Sequence, residues 1–245
     1  LSRPASGVRD DARAGAIRTL NPLCVLCVCG FEAMAKQADL FGKAASLPAG
    51  FRYQPDVLDD REEQILVQHI AEQDLAPFEF HGFLGKRRVV YFGYRYDFGG
   101  GGLKTGSEIP AFLLPIRETV ARVFGLEPAA LEQVLLTEYA TGAAIGWHKD
   151  RSVFGDVIGI SLLSSCTFRF RKKACAGWER KSMRLQPRSA YLLQGPARTE
   201  WEHSIPAVTE LRYSITFRTM KYPPGPFNRR DTAGARSAMP VRRAS

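Results

Sequence analysis

The sequence contains no apolar run of the roughly 18 residues that a membrane-spanning helix requires, so we predict no helical membrane span. Cysteine is sparse: three of the five lie within Leu23–Gly30, and Cys166 and Cys175 lie far from them. This spacing resembles no disulfide framework, which indicates a reducing compartment, the cytoplasm. Histidine is scarcer still, with four in 245 residues, and no internal repeat stands out.

Charge is unevenly distributed along the chain. The formal net charge is +9, of which residues 1–33 carry +1 and residues 223–245 carry +4, leaving +4 for the body. A mildly basic body is weak evidence for a polyanionic partner, so local clusters must carry that argument. The length and the ordinary hydrophobic content of 45% predict one globular domain and a monomer.

The two ends differ in composition from the body. We expect residues 1–33 to be a disordered extension read in frame before a start at Met34, with the domain over residues 34–222. Two alternatives stay open: a signal peptide, and a metal-binding run at Cys24, Cys27 and Cys29. The segment 223–245, with four prolines and scattered arginines, is predicted to be a disordered basic tail.

The body reads as two helices followed by strands. Asp60, with Glu63 three residues on, predicts a helix cap before the apolar stripe of Ile65, Leu66 and Ile70. A second helix is predicted from Pro110 to Gly125, delayed or kinked by Pro115. Seven β-rich runs then follow without helices between them: Val134–Glu138, Val157–Leu163, Thr167–Phe170, Met183–Leu185, Ala190–Leu193, Glu202–Ile205 and Arg212–Phe217. The fold class predicted is therefore α+β, mainly β: a sandwich or jelly roll buttressed by N-terminal helices.

Three residues form a candidate metal site. His148 and Asp150 are two residues apart, so on an extended segment they project to one face, and His203 follows 53 residues after Asp150. Two imidazoles and one carboxylate leave open positions on a metal, as non-haem Fe(II) oxygenases require. A lone His-x-Asp is more often a local hydrogen bond or a solvated turn. The metal-site interpretation therefore depends on the third ligand, His203, and on a cosubstrate site nearby. His69 and His81 are not assigned to the metal.

An anion site is predicted on the strand Arg212–Arg218. Arg212, Ser214, Thr216 and Arg218 share one face by alternation. Burying two guanidinium groups is costly without an anion, and a dicarboxylate would match their forked geometry. The alternative is an exposed edge strand with solvated arginines.

Together these motifs resemble the AlkB family of Fe(II)/2-oxoglutarate-dependent dioxygenases over Phe51–Met220. The motifs that carry the resemblance are Thr137–Gly142, Gly146–Asp150, Glu202–Pro206 and Arg212–Arg218. The family fold is a double-stranded β-helix, a kind of jelly roll. The resemblance implies Fe(II) held by His148, Asp150 and His203, with 2-oxoglutarate and O₂ as cosubstrates.

The resemblance also implies roles for the residues around the metal. Arg212 would pair with the distal carboxylate of 2-oxoglutarate with help from Tyr139, and Arg218 would lie near its keto-acid end. Thr137 and Ser214 stand where the family often has Asn, and both keep a hydrogen-bonding group. DNA-repairing members carry an acidic residue at the position of Ser152, where it helps to read the base.

Substrate binding is predicted around residues 80–105, which resemble the nucleotide-recognition lid of the family. Candidate contacts are Arg88, Tyr94, Arg95 and Tyr96, because cations interleaved with aromatics suit stacked bases and phosphates. The alternative is a twisted strand with its aromatics packed inward. A second basic cluster from Arg169 to Arg184 lies on a predicted hairpin, where it contacts a phosphate backbone or is simply solvated.

Three functions follow from these patterns. The first is oxidative demethylation of N-alkylated DNA or RNA bases that are single-stranded or flipped out of a duplex. The second is hydroxylation of a tRNA nucleoside or a protein side chain by the same iron chemistry, which Ser152 keeps open. The third is a catalytically silent nucleic-acid-binding module, which the complete metal and anion sets argue against.

Overall fold

The computed structural model describes residues 47–80, 83–97 and 102–221. The predictions for residues 1–33 and 223–245 lie outside the described residues. Helices span α1 (Asp60–Ala71), α2 (Leu114–Phe124) and α3 (Gly195–Thr199). Strands span β1 (Phe51–Gln54), β2 (Ala76–Phe80), β3 (Phe83–Phe92), β4 (Tyr94–Asp97), β5 (Gly102–Thr105), β6 (Leu131–Tyr139), β7 (Ile145–His148), β8 (Phe154–Leu162), β9 (Cys166–Ala174), β10 (Gly177–Leu185), β11 (Ser189–Leu193), β12 (Glu202–Ile205) and β13 (Arg212–Met220).

Two antiparallel sheets make up the body of the fold. The large sheet has the order β1-β11-β8-β13-β6-β3-β2, and the small sheet has the order β10-β9-β12-β7. A separate hairpin pairs β4 with β5. Neighbours in the large sheet are mostly distant in sequence, as in β13 between β6 and β8, so the sheet depends on non-local pairing.

The large sheet separates two apolar cores. On one face, α1 and α2 pack on strand residues such as Leu136, Ile160 and Ile215. On the other face, the large and small sheets enclose a core that includes Tyr139, Val157, Phe168, Phe170 and Ile205. The prediction of a mainly β fold whose helices cover one face is therefore confirmed.

The first helix begins one residue earlier than the sequence predicted. The Asp59 carboxylate accepts a hydrogen bond from the Glu62 backbone N–H at 2.7 Å, and the Glu62 carboxylate accepts one from the Asp59 backbone N–H at 2.9 Å, forming a capping box. The predicted pair, Asp60 with Glu63, offers the same motif one residue later. Glu63 is instead buried, and its carboxylate accepts a hydrogen bond from the Leu163 backbone N–H at 2.9 Å. This tertiary contact explains the corrected register.

The second helix starts late, as expected from its proline. A 3-10 turn at Ala111–Leu113 precedes α2, because Pro115 lacks an amide hydrogen and is tolerated only in the first helical turn. The helix ends at Gly125, whose φ of 71° is the left-handed conformation that glycine favours. In α1, Ile65 was predicted to face the core but is 46% exposed, since Glu63 and Leu66 occupy the inward positions.

Every predicted β-rich run overlaps an observed strand, but the structure adds strands that the sequence did not reveal. Strands β1, β2 and the β4–β5 hairpin were missed, because short runs with mixed polarity carry little periodicity. Strand β3 pairs with β6 inside the large sheet, so much of the predicted lid segment is part of the framework of the fold. None of the described helices is both long and apolar enough to cross a membrane.

Candidate active site

Strand pairing brings the two predicted histidine ligands together. His148 ends β7 and lies directly opposite His203 of β12 in the antiparallel register. Cross-strand partners project to the same face of a sheet, and the two ring centroids are 4.3 Å apart. Asp150 follows two residues after His148, and its Oδ2 lies 3.6 Å from Nε2 of His203. The fold thus assembles the predicted triad at one edge of the small sheet.

Backbone contact orients the first histidine for metal binding. Nδ1 of His148 lies 2.9 Å from the carbonyl oxygen of Gly146. Because a carbonyl oxygen can only accept, Nδ1 is the donor, and in the neutral ring this tautomer leaves the Nε2 lone pair for a metal. A hydrogen bond from the second ring nitrogen to a carbonyl is a typical support for a metal-ligating histidine.

The protonation states also suit a cation. Burial lowers the pKa of His203 to about 3, assisted by the neighbouring His148 and opposed by Asp150. The imidazole is therefore neutral near pH 7, which is the form that binds metals. Burial alone would raise the pKa of the Asp150 carboxyl, but the Arg218 guanidinium and the adjacent histidines hold it below its ordinary range.

The guanidinium group of Arg218 binds the carboxylate of Asp150, the acidic member of the triad. Arg218 donates to Oδ1 of Asp150 from Nε at 3.0 Å and from Nη2 at 2.8 Å, and its Nη1 donates to Gln133 at 2.8 Å. Within residues 47–80, 83–97 and 102–221, no three His, Cys, Asp or Glu side chains already stand in coordinating positions. The strand register fixes the adjacency of the donors, whereas coordination by all three requires a side-chain adjustment. The donor types and their adjacency fit an Fe(II) ion.

The loop that carries Asp150 is fastened by a residue that sequence reasoning missed. Arg198 of α3 is 8% exposed, and its guanidinium donates to four carbonyl oxygens. The acceptors are Asp150 (3.2 Å), Arg151 (2.6 Å), Phe154 (2.9 Å) and Gly155 (2.9 Å). The backbone of residues 150–155 therefore folds around one side chain, and this positions Asp150. A single arginine in a short Gly-Pro turn gives no pattern by which it could have been found.

Arg212 lies in an environment that calls for an anion. Its side chain is 1% exposed, its Nε donates to Ser161 at 3.2 Å, and its guanidinium lies 4.8 Å from the Tyr139 ring centroid. Nη1 is buried with no hydrogen-bond partner among the residues that the structure describes. An unpaired donor on a buried cation is costly. A ligand carboxylate at this point would satisfy it, and the residues thus fit the distal carboxylate of a dicarboxylic acid.

One cavity of about 610 Å³ joins the candidate metal and anion sites. Its walls include every predicted metal and cosubstrate residue: Thr137, Tyr139, His148, Asp150, His203, Arg212, Ser214 and Arg218. The predicted alternation of Arg212–Arg218 is confirmed, because Tyr213, Ile215 and Phe217 point into the core beneath the helices. The two arginines differ in their contacts, however. Arg218 binds Asp150, whereas Nη1 of Arg212 has no acceptor among the described residues.

Tyr191 is a cavity residue that sequence reasoning did not identify. Its hydroxyl end crosses Gly159 so closely that an added Cβ there would lie 2.3 Å from the tyrosine ring. Burial raises the pKa of Tyr191, so its hydroxyl stays protonated and able to donate a hydrogen bond. Glycine at position 159 is therefore required by the close approach of this ring.

Arg88 was predicted to contact substrate, and the structure contradicts this. Its guanidinium forms a two-pronged ion pair with Glu138, at 2.8 and 2.6 Å, and Glu138 also accepts a hydrogen bond from Tyr213. These contacts lie on the face of the large sheet opposite the cavity. The neighbouring Arg87 lines the cavity instead, with its guanidinium 3.8 Å from the Phe78 ring centroid. A shift of one residue along a strand exchanges the two faces, which explains the error.

The other predicted substrate residues divide into two groups. Tyr96 of the β4–β5 hairpin lines the cavity, with the guanidinium of Arg151 4.9 Å from its ring centroid. Tyr94, Arg95 and Ser152 are not among the residues that line it. Ser152 is exposed on the loop after Asp150, so its side chain borders solvent.

Comparison with known proteins shows that this sequence is similar to a family of oxygenases. The sequence model of the 2OG-Fe(II) oxygenase superfamily matches residues 50–218. A relative from Arabidopsis thaliana, the "Alkylated DNA repair protein ALKBH8 homolog", is 30% identical over 178 residues, which cover 62% of this chain and 49% of the relative. A mimivirus protein from Acanthamoeba polyphaga mimivirus, "Uncharacterized protein L905", is 27% identical over 193 residues, covering 70% of this chain and 85% of that protein.

The similarity extends to solved structures. The structure of OsALKBH1 matches with a TM-score of 0.54 at 15% identity, covering 71% of this chain and all of the solved chain. At this identity the likeness establishes the fold. The chain spans about half the length of the Arabidopsis relative.

Proposed function

Because the chain belongs to the 2OG-Fe(II) oxygenase superfamily, and within it to the AlkB-like proteins, we propose that it oxidatively demethylates N-alkylated bases in DNA. The predicted double-stranded β-helix is confirmed with the family fold, and the predicted Fe(II), 2-oxoglutarate and O₂ are confirmed as what this family uses. The substrate and the roles of individual residues are the substance of the proposal.

The observation that carries the proposal is the Nη1 of Arg212, which has no hydrogen-bond partner in the described part of the chain and lies in the same cavity as the His148–His203 pair. A buried cation that lacks an acceptor is matched by a dicarboxylate whose other end reaches the metal. His148, His203 and Asp150 would hold Fe(II), which together with 2-oxoglutarate and O₂ supplies the oxidant for a C–H bond.

The remaining cavity residues would prepare the site for this chemistry. Arg212 would hold the distal carboxylate, while Arg218 keeps Asp150 ionised and correctly placed. The Tyr139 ring under Arg212 and the partly buried Tyr191 would keep water out of the cavity. One oxygen atom of O₂ would enter succinate as CO₂ leaves, and the other would convert N–CH₃ to N–CH₂OH. The hydroxymethyl group then separates as formaldehyde, leaving N–H on the base.

The walls of the cavity suit a flat, extruded base. They include Arg87, Tyr91, Tyr96 and Arg151, which combine aromatic surfaces for stacking with cations for phosphates. The Arabidopsis relative bears the name of an alkylated-DNA repair protein, which supports a DNA substrate for this chain.

The test is a panel of methylated single-stranded DNA, RNA and tRNA, incubated with Fe(II), 2-oxoglutarate and O₂ and analysed by mass. We expect loss of a methyl group from a DNA base, with formaldehyde and succinate formed in equal amounts. His148→Ala should abolish all three signals. Succinate formation by the wild type without demethylation of any oligonucleotide would reject the proposed substrate while keeping the oxygenase.

A second candidate is a hydroxylase of a tRNA nucleoside or of a protein side chain. The observation that favours it is Ser152, which supplies no carboxylate beside the cavity where DNA-repairing relatives have an acidic residue. This activity would add one oxygen atom to the substrate and release no formaldehyde. The same panel, extended with tRNA from cells that lack the enzyme, separates the two. A silent binder is disfavoured because it would gain nothing from burying Arg212 and Asp150.

A further inference from the structure

The outward face of the small sheet is strongly basic. Phe168 and Phe170 of β9 point into the core, so by alternation Arg169, Arg171 and Lys173 point outward. On β10 the exposed Arg180 and Arg184 share that face, because they pair with Arg171 and Thr167. We refer to these five cations, with Trp147 and Trp178, as the outer basic face.

The cations of the outer basic face are poorly neutralised. Glu202 pairs with Arg171 and is the one acidic side chain that the described strands of this sheet turn to the same face. Arg171 also stands directly opposite Arg180, and like charges in this position destabilise a sheet. A sheet face that served stability alone would alternate the signs of its charges. The excess of four positive charges therefore points to an anionic partner.

Two tryptophans are built into this face. The guanidinium groups of Arg169 and Arg171 lie 5.0 and 4.7 Å from the Trp147 ring centroid, and that of Arg171 lies 4.2 Å from the Trp178 ring centroid. Trp178 is 39% exposed, which is unusual for so large an apolar side chain. Indole faces held among cations combine base stacking with phosphate binding, the chemistry of a single-stranded nucleic-acid surface.

The outer basic face is continuous with the cavity. Strands β7 and β12 turn His148 and His203 inward, whereas Trp147 and Ser204 alternate to the other side. Arg169 donates to Oγ of Ser204 at 3.1 Å, and Trp147 also borders the cavity. Strand β7 is the edge of the small sheet, so a strand of nucleic acid leaving the cavity meets Trp147 first.

From this arrangement we propose that the outer basic face binds single-stranded DNA flanking the base held in the cavity. The inference rests on the proposed function for its choice of polymer. Trp178 stacks on a base, while Lys173 and Arg180, exposed on adjacent strands, contact the phosphates on either side of it. Arg169 and Arg171 support Trp147 and lie closer to the cavity.

The test measures binding of an unmodified single-stranded DNA by the full chain over a range of salt concentrations. The slope of log K against log salt is negative, and each lost phosphate contact reduces its magnitude by about 0.7 for a single strand. We expect Lys173→Ala with Arg180→Ala to reduce this magnitude by about 1.4. Trp178→Ala, which removes a stacking surface, should weaken binding by about 5- to 100-fold at every salt concentration. All three side chains are exposed, so these variants should fold.

The matched control removes the same charge from the helical side of the molecule. Arg61→Ala with Arg122→Ala changes exposed residues of α1 and α2, and should leave the slope within experimental error of the wild type. The inference is overturned if the outer-face and control variants behave alike, or if the protein binds duplex DNA or RNA and not single-stranded DNA. Since the probe is unmodified, the binding result does not depend on demethylation. If methylated single-stranded DNA binds through the outer basic face but is not demethylated, the proposed function is rejected and the binding surface is retained.

Discussion

Replacing Arg212 with methionine should raise the stability of the ligand-free protein and weaken 2-oxoglutarate binding. In the free protein the Arg212 guanidinium is 1% exposed and its Nη1 has no hydrogen-bond partner within residues 47–80, 83–97 and 102–221; such a donor costs about 1–3 kcal/mol. A flexible apolar side chain of similar length removes that cost but loses the bond to Ser161, worth about 1 kcal/mol. We therefore expect a net gain of about 1 kcal/mol in the free energy of unfolding.

The same substitution leaves a ligand carboxylate buried without a cation. Breaking a buried charge pair by removing one partner costs about 3–5 kcal/mol. Since 1.4 kcal/mol is a factor of ten, the affinity for 2-oxoglutarate should fall at least about a hundred-fold. The two effects have opposite signs, which separates the loss of an anion site from general damage to the fold.

Thermal unfolding with and without 2-oxoglutarate measures both effects. Mn(II) replaces Fe(II) in these experiments to prevent oxidation. A ligand at 100 times its Kd stabilises a protein by about 2.7 kcal/mol, so the wild type should show a clear upward shift in Tm and Arg212→Met should show none. Arg212→Lys is the matched control: it keeps the charge but not the fork, and should bind weakly without stabilising the free protein. If Arg212→Met melts below the wild type and still responds to 2-oxoglutarate, Arg212 is structural and the anion assignment is wrong.

Three further changes test other parts of the structure. Arg198→Lys cannot satisfy four carbonyl oxygens at once, so Mn(II) affinity should fall at least about ten-fold as the Asp150 loop loosens; unchanged metal affinity in calorimetry would contradict the positioning role. Arg88→Ala should leave oligonucleotide affinity unaltered and remove a pH dependence, because the hydrogen bonds and charge of Arg88 lower the pKa of Glu138. Stability from a carboxyl with a lowered pKa is present at neutral pH and is lost as the pH falls through that pKa, so the wild type and Arg88→Ala should differ in Tm at pH 7 and converge once the pH falls below the folded-state pKa of Glu138. The difference will be small, since half of the Arg88 side chain is exposed. Gly159→Ala forces the Tyr191 ring to move, and we expect about 1–3 kcal/mol of destabilisation with weaker 2-oxoglutarate binding; an unfolding curve equal to the wild type would show that the ring is free to shift.

The separate tasks of the two arginines change how the anion site is understood. The sequence presented Arg212 and Arg218 as a pair facing one dicarboxylate. In the folded chain Arg218 already has two acceptors, Asp150 and Gln133, whereas one donor of Arg212 has no acceptor among the residues that the structure describes. A cosubstrate carboxylate would therefore accept a hydrogen bond from the remaining donor of Arg212. At Arg218 it would approach a guanidinium that already binds Asp150, the candidate metal ligand.

The large sheet also revises the predicted lid. Residues 83–92 form β3, which is hydrogen-bonded to β6 along Arg87–Phe92, so this part of the segment is built into the framework. The β4–β5 hairpin stands apart as a two-stranded unit and brings Tyr96 to the cavity. Changes in β3 should therefore affect folding, and at Arg87 and Tyr91 also substrate binding, while changes in the hairpin should affect substrate binding alone.

The sequence by itself determined those features that follow from side-chain alternation along a strand and from short local motifs. The strand Arg212–Arg218 shows by its period of two that its polar residues share a face, and His148-Lys149-Asp150 shows the same for two ligands. Both inferences are local, because they depend on backbone geometry within a few residues. Pro115 and Gly125 likewise marked the start and the end of α2 through their own conformational limits.

Tertiary structure decided everything that depends on which distant segments meet. The pairing of β7 with β12 placed His203 opposite His148, although 55 positions separate them in the sequence. The register of β3 against β6 turned Arg87 to the cavity and Arg88 to Glu138, and nothing local distinguishes these neighbours. Arg198 acquired its role from four carbonyl oxygens that lie 43 to 48 residues away. Such contacts arise when non-local strands choose a register, because the energy that selects it comes from packing both faces of the sheet at once.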